Sequence, residues 1–184
     1  MSKFDLISSA SLEGAEGFME KHKAYAGLKR DELESIPESE IVEAVTGWIE
    51  GKFKEDWSDM CEIVNSLPTP CLNLYCADFI AKEVLDGGFG QAFFNISADF
   101  IGAAADGFHA MDCEKAANAV EKALEIHKSL DKKSSHSFDD FLSLMASDDY
   151  AEADADFRKA YSKERFASLA YKYVLRYKKY FGNE

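Results

Sequence analysis

Apolar residues recur at intervals of three and four positions through most of this chain, a spacing that places them on one face of an α-helix. Eight windows show the pattern, and they cover residues 11–26, 41–53, 57–67, 72–84, 97–111, 112–127, 137–145 and 166–181. No window alternates strictly between apolar and polar residues, so β-strands are not expected. We therefore predict an all-α fold, a single-domain bundle of seven to nine helices spanning residues 1–184.

Capping residues and a proline mark the starts of several of these helices. Asp56, Ser97 and Asp112 each precede an apolar window, where a short polar side chain can accept hydrogen bonds from the first free backbone N–H groups. Thr69 followed by Pro70 is typical of an N-cap with proline at the first helical position. These residues are predicted to begin four of the helices.

A glycine-rich segment in the middle of the chain separates two helical windows. Gly87 and Gly88 directly follow one of them, and glycine can adopt the left-handed backbone conformation that ends a helix. We expect the helix to stop at Gly87 and the chain to turn there. Phe89, Phe93 and Phe94 are then expected to fill the core. The bundle is thus predicted to be organised around a Gly-Gly-Phe corner.

Two amide side chains lie among these aromatic residues. Gln91 and Asn95 are expected to hydrogen-bond the backbone of the corner, because polar groups beside buried rings need partners. Gly88 and Gly90 also begin like a dinucleotide-binding fingerprint, but Phe93 occupies the third glycine position and no strand precedes the segment. No cofactor is predicted.

Composition indicates a folded globule with a strongly acidic surface. Apolar residues make up 47% of the 184 residues, which is enough for a substantial core. The formal net charge is −13, which disfavours direct binding to nucleic acid or anionic membranes because their phosphates would be repelled. Such a surface favours a basic or cationic partner, while acidity that serves only solubility stays open.

The charges are unevenly distributed along the chain. Residues 31–62 have eleven acidic and two basic side chains, residues 138–156 have seven acidic and no basic ones, and residues 157–181 reverse the sign. The acidic stretches supply the candidate partner-binding residues, which are Glu34, Glu38, Glu43, Asp148, Asp149, Glu152, Asp154 and Asp156. The oppositely charged stretches could instead pair with one another inside the molecule.

Three of these carboxylates are predicted to share one side of a helix. Asp149, Glu152 and Asp156 are three and four residues apart, which places them roughly 5 to 10 Å from one another along the helix axis. Neighbouring phosphates of a DNA strand fall in the same range. The spacing is therefore compatible with carboxylates that take the place of phosphates.

The sequence lacks the common signatures of catalysis and metal binding. It contains no phosphate loop, no Gly-x-Ser-x-Gly elbow and no His-Glu-x-x-His motif, so no catalytic residues are predicted and the protein is expected not to be an enzyme. His109 and Cys113 are four apart but straddle a helix boundary, and the carboxylates from Glu152 onward lack the glycine and the twelfth-position carboxylate of a calcium loop. No metal site is predicted.

The spacing of the cysteines and the sequence of residues 1–7 indicate the cellular compartment in which the protein is expected. The four cysteines have no Cys-x-x-Cys spacing and are expected to be reduced. No long apolar run follows residues 1–7, so neither a signal peptide nor a transmembrane span is predicted. A cytoplasmic location is expected.

The glycine corner resembles the signature of a bacterial family named after a DNA-mimic protein. The resemblance covers roughly residues 72–184, with residues 1–68 as N-terminal helices packed on that part, and its matching corner residues are Glu83, Gly87, Gly88, Phe89, Gln91, Phe93, Phe94 and Asn95. Residues 103–124 and 173–181 follow the family's order. Asp86 stands where the family usually has Asn, and Ala92 where it usually has an aromatic residue. The fold is expected to carry over.

The resemblance implies a non-enzymatic acidic binding protein that mimics DNA and occupies a DNA-binding protein. The alternative is a cytoplasmic protein-interaction or immunity-type protein that uses the same helical fold with an unrelated partner. No direct nucleic-acid binding and no membrane association are expected, and a homodimer stays open. A continuous acidic surface would favour mimicry, an exposed apolar patch another partner, and a pocket with converging titratable groups catalysis.

Overall fold

The computed structural model describes residues 24–131 and 148–184. This part of the chain consists of seven α-helices and three 3-10 segments, with no β-strand, so the predicted all-α bundle is confirmed. The α-helices are α1 Ile41–Glu50, α2 Met60–Ser66, α3 Thr69–Asn95, α4 Ala98–Ala110, α5 Glu114–Asp131, α6 Ala151–Ala160 and α7 Lys163–Arg176. The 3-10 segments are Arg30–Ser35, Asp148–Tyr150 and Lys178–Tyr180. The predicted window at residues 137–145, and nearly all of that at 11–26, lie outside the described residues.

α3 lies at the centre of the bundle and is interrupted once. Gly88 has φ 79° and ψ 177°, and helical geometry resumes directly after it. This region of backbone space is accessible essentially only to glycine. The prediction of a break at the glycine pair is therefore confirmed, but its position was wrong by one residue. Gly87 is still helical, because only one residue needs a positive φ to redirect the helix.

The core extends along the whole described chain as one hydrophobic cluster. α3 packs on α4, α4 on α5 and α5 on α6, while α7 packs on α1. Of the corner aromatics, Phe89 is fully buried and Phe93 is buried, as predicted, while Phe94 is half-buried. Phe93 stacks on the His127 ring at 4.1 Å and on the Tyr150 ring at 5.5 Å. The corner is thus a packed junction between α3, α5 and the turn before α6.

The predicted N-caps had mixed outcomes. Ser97 accepts the Phe100 N–H at 3.4 Å, as expected. Thr69 lies inside α3, one residue past the N-cap position. Asp56 accepts the Ser58 N–H in a turn before the helix, and Asp112 takes a left-handed φ of 58° ahead of α5. The prediction for Thr69 was wrong because the Pro68 carbonyl already accepts the first N–H groups of the helix, from Cys71 and Leu72. Those for Asp56 and Asp112 were wrong because short polar residues occur in turns as readily as at helix starts.

Residues near both ends of the described chain are joined by backbone hydrogen bonds. Asn183 accepts the Arg30 N–H and donates its own N–H to Leu28, both at 2.9 Å. The Asn183 side chain also accepts the indole N–H of Trp48 at 3.1 Å. Gly182, at φ 74°, allows this close approach, because an added Cβ would lie 2.7 Å from the Arg30 nitrogen. This junction brings the 3-10 segment Arg30–Ser35 beside Lys178–Tyr180.

Candidate acidic interface

The backbone groups released by the break in α3 are bound by two side chains of α6. Asp154 Oδ1 accepts the Phe89 N–H at 2.8 Å, on the far side of the break. Arg158, one turn along α6, donates to the Leu85 carbonyl at 2.8 Å and to the Val84 carbonyl at 3.0 Å. Both ends of the interrupted helix are thereby capped from the same neighbouring helix.

Asp154 is therefore a structural residue of the corner, although sequence reasoning placed it among the partner-binding carboxylates. It is only partly exposed. Its carboxylate also lies so close over Gly88 that an added Cβ would be 2.7 Å from Oδ2. Sequence alone could not assign this role, because Asp154 and Phe89 are 65 positions apart.

The two amides of the corner are placed differently from the prediction. Asn95 Nδ2 donates to the Glu83 carboxylate at 3.0 Å, so the expected bond to the backbone was wrong for this residue. The Gln91 side chain folds over Gly87, where an added Cβ would collide with it. A side-chain hydrogen bond from Gln91 to the backbone stays a prediction.

The remaining acidic residues of the segment 148–156 lie on the surface. Asp148, Asp149, Glu152 and Asp156 are all exposed. Lys122 of α5 reaches across to α6 and binds Glu152 at 2.8 Å and Asp156 at 3.0 Å. These hydrogen bonds raise the pKa of Lys122, which stays charged. One cation is thus shared by two carboxylates, and the pair keeps a net negative charge.

α5 adds a row of acidic residues that sequence reasoning did not single out. Glu114, Glu121 and Glu125 are exposed and are seven and four residues apart. A helix of 3.6 residues per turn places such positions on one stripe, with axial spacings of about 10 and 6 Å. The i, i+7, i+11 spacing in the sequence could have revealed this row. We call these three residues the acidic ridge.

His109, in the last turn of α4, bridges two residues of the acidic ridge. Its Nδ1 lies 2.8 Å from a Glu114 oxygen and its Nε2 lies 3.0 Å from a Glu121 oxygen. Desolvation lowers the pKa of the ring, but the hydrogen bonds and charges of Glu121 and Glu114 outweigh it, so the pKa is raised. The predicted straddling of a helix boundary by His109 and Cys113 is correct, and the histidine faces carboxylates.

The acidic ridge and the exposed acids of segment 148–156 are neighbours. Lys122, which binds Glu152 and Asp156, immediately follows Glu121 in α5. We define the acidic face as Glu114, Glu121, Glu125, Asp149, Glu152 and Asp156. Its carboxylates come from α5, from α6 and, for Asp149, from the 3-10 segment directly before α6 rather than from the same α-helix as Glu152 and Asp156. Lys122 links α5 to α6, whereas His109 contacts Glu114 and Glu121 from α4.

The N-terminal candidates lie elsewhere. Glu34 pairs with Lys178 at 2.7 Å, and its carbonyl accepts the Tyr171 hydroxyl at 3.4 Å, so it neighbours the basic end of the chain. Glu38 and Glu43 are exposed, the latter in the first turn of α1. The internal pairing of acidic and basic stretches that the sequence left open therefore occurs at Glu34.

A small cavity lies between the start of α5 and the start of α7. Its walls include Cys113, Glu114, Tyr161, Arg165 and Phe166. Burial raises the pKa of the Cys113 thiol to about 11, so at neutral pH it is protonated and a weak nucleophile. The cavity of about 170 Å³ is below the roughly 300 Å³ at which pockets for small-molecule ligands begin.

Four further properties concern the described ranges as a whole. All four cysteines are unpaired, and Cys71 and Cys76 are buried. Within residues 24–131 and 148–184, no three His, Cys, Asp or Glu side chains are arranged to hold a metal ion, and no helix is long and apolar enough to cross a membrane. Leu85 and Tyr180 are the large apolar side chains exposed there, and they are far apart in sequence.

Comparison with known protein families identifies a matching family. The family model described as "DMP19-like protein" matches residues 65–177. Neither a curated protein nor a solved structure matches the chain. The matched range contains the glycine corner and the whole acidic face, whereas Glu34, Glu38 and Glu43 lie outside it.

Proposed function

The chain belongs to the DMP19-like protein family, and from this membership we propose that it is a non-enzymatic binding protein that mimics DNA and occupies a DNA-binding protein. The observation that supports the proposal most is the acidic face. It lies within the matched range and presents six exposed carboxylates, from α5, from α6 and from the 3-10 segment before α6.

The spacing of the acidic face suits a partner that reads phosphates. Charges about 6 to 10 Å apart along a rigid helix form a fixed row, and a DNA-binding protein recognises a row of phosphates through Lys and Arg side chains. The two basic side chains beside the face, Lys122 and His109, are each bound by two carboxylates. They orient the acids without cancelling the negative charge of the surface.

The exposed apolar side chains help to distinguish this proposal from the alternative, a protein that binds an unrelated partner through an apolar surface. Interfaces that do not rely on charge expose contiguous apolar patches. In the described ranges the exposed large apolar side chains are Leu85 and Tyr180, which are 95 positions apart in the sequence. An electrostatic partner is therefore favoured over an apolar one.

The test is displacement of DNA-binding proteins from DNA. Lysate of the source cell is passed over immobilised duplex DNA, and the protein is then applied at low salt. It should elute a specific subset of the bound proteins, because its carboxylates compete with phosphates for the same basic sites. Elution should weaken steeply as salt rises, since exposed charges are screened within about 10 Å at 0.1 M.

A matched pair of variants identifies the surface. Asp149→Asn/Glu152→Gln/Asp156→Asn removes three charges from the acidic face, and Glu55→Gln/Glu62→Gln/Glu184→Gln removes three exposed charges elsewhere. The first variant should no longer elute the bound proteins from the DNA, whereas the second should still elute them. If both variants eluted the bound proteins equally poorly, the net charge of the protein and not the acidic face would cause the displacement. A protein that elutes nothing, yet binds a lysate protein irrespective of salt and DNA, would be the alternative type with an unrelated partner.

A further inference from the structure

α7 has a basic stripe on this otherwise acidic molecule. Arg165, Lys172 and Arg176 are exposed, and their spacing of seven and four residues places them on one side of the helix. In the described ranges none of the three forms an ion pair. We call these residues the basic stripe. Three cations in a row on a protein of net charge −13 form a local surface that attracts a partner of opposite sign.

The acidic ridge of α5 has the same spacing with the opposite sign. Glu114, Glu121 and Glu125 are also seven and four residues apart, so both rows have axial intervals of about 10 and 6 Å. The position between the first two charges is Asn118 in α5 and Leu169 in α7, so no like charge interrupts either row. Two helices laid side by side in the same direction would bring all three charge pairs into register.

The two rows cannot satisfy each other fully within one copy. α5 packs between α4 and α6, whereas α7 packs on α1. The helices approach at their N-terminal ends, where Glu114 and Arg165 line the same cavity. From that point each row is exposed to solvent and available to another molecule.

We infer that the basic stripe of one copy docks on the acidic ridge of a second copy. Each copy has one row of each sign, so a two-fold dimer pairs both rows of both copies at once. Charge complementarity of this kind sets register and association rate. The inference does not rest on the proposed function, but both use the acidic ridge, so a second copy and a basic partner would compete for it. It also implies that a dimer covers part of the acidic face.

Charge-swap complementation tests this assembly. Association is measured by sedimentation velocity at about 0.1 M salt, where the screening length is about 10 Å, and at about 1 M, where it is about 3 Å. The parent should dimerise at the lower salt and dissociate at the higher. Arg165→Glu/Lys172→Glu/Arg176→Glu and Glu114→Lys/Glu121→Lys/Glu125→Lys should each weaken self-association at least about a hundredfold, because like charges then face each other. An equimolar mixture of the two should restore dimers.

A matched control separates register from net charge. Lys29→Glu/Lys52→Glu/Lys54→Glu changes the charge by the same amount as the reversed stripe, at exposed positions outside α5 and α7. This control should dimerise like the parent. Three results would each overturn the inference. The parent protein could stay monomeric at the lower salt, the control could dimerise as weakly as the reversed stripe, or the equimolar mixture could stay monomeric.

Folding of the variants is checked by circular dichroism. If a reversal prevents folding, the neutral variants Arg165→Gln/Lys172→Gln/Arg176→Gln and Glu114→Gln/Glu121→Gln/Glu125→Gln replace it, with at least about tenfold weaker association expected from each. Unchanged association in both would equally overturn the inference. The displacement test of the proposed function uses Asp149, Glu152 and Asp156, none of which is in either row, so the two proposals can fail separately.

Discussion

Removal of the Asp154 carboxylate should unfold the protein more easily without acting through the acidic surface. Asp154→Ala deletes the acceptor of the Phe89 N–H, which lies at a fully buried residue. An unsatisfied buried donor costs about 1 to 3 kcal/mol, and loss of a helix cap costs about 0.5 to 2 kcal/mol. These ranges describe the same lost bond, so we expect a decrease of about 2 kcal/mol in the free energy of unfolding.

Urea denaturation followed by circular dichroism measures this change. With a slope of about 2 kcal/mol per molar urea, the midpoint should fall by about 1 M while the slope stays constant. Asp154→Asn keeps an acceptor oxygen and should cost less than the alanine variant. Asp156→Ala removes an exposed carboxylate two residues away and should change stability by about 0.5 kcal/mol or less.

Arg158 provides an internal test of the same reasoning, because it caps the other side of the break. Arg158→Ala should also destabilise, and the double variant should cost less than the sum of the two single ones, since both support one broken helix. A midpoint for Asp154→Ala within error of that for Asp156→Ala would refute the capping argument.

Three further predictions concern the corner and the acidic ridge. Gly88→Ala should lower the free energy of unfolding by about 1 to 3 kcal/mol, because its φ of 79° suits glycine alone. Gly87→Ala should lower it less, because only the flexible Gln91 side chain must move. Thermal melts that rank the two variants in the reverse order would contradict this. Phe93→Ala should cost about 3 to 5 kcal/mol because it removes a ring stacked on two others, and an unchanged denaturation midpoint would disprove it. Because the pKa of His109 is raised in the folded protein, its protonation stabilises the fold; this stabilisation is fully present below about pH 6.5 and is lost as pH rises through the raised pKa. In NMR titrations, Glu121→Gln should lower the pKa of His109. An unaltered pKa would exclude the Glu121 carboxylate as its cause.

Helices were predictable here because their apolar stripes are local. Ile41, Val45 and Ile49 are buried at the spacing that the sequence shows, and α1 follows from it. The break in α3 was predictable to within one residue, since a glycine pair after a helical window is a local signal as well. Whether Gly87 or Gly88 takes the positive φ depends on what covers it, and that is Asp154 from a distant helix.

The candidate site was less predictable, because its residues meet only after the helices pack. Glu152 and Asp156 were identified from their spacing, but the Lys122 that binds both is some 30 positions away. The contact of His109 with Glu121 likewise depends on how α4 lies against α5. The acidic ridge, by contrast, could have been found from its spacing alone.

The hydrogen bonds between residues 28–30 and Asn183 form beside Trp48, so the fluorescence of this tryptophan can be used to follow the pairing of the two chain ends. They close a loop that contains nearly all the described residues, and long loops close late because their entropy must be lost first. The Trp48 indole donates directly to Asn183, so its fluorescence changes when that loop closes. In a Trp57→Phe background, stopped-flow fluorescence of Trp48 is expected to follow closure of this loop, while circular dichroism follows formation of the helices.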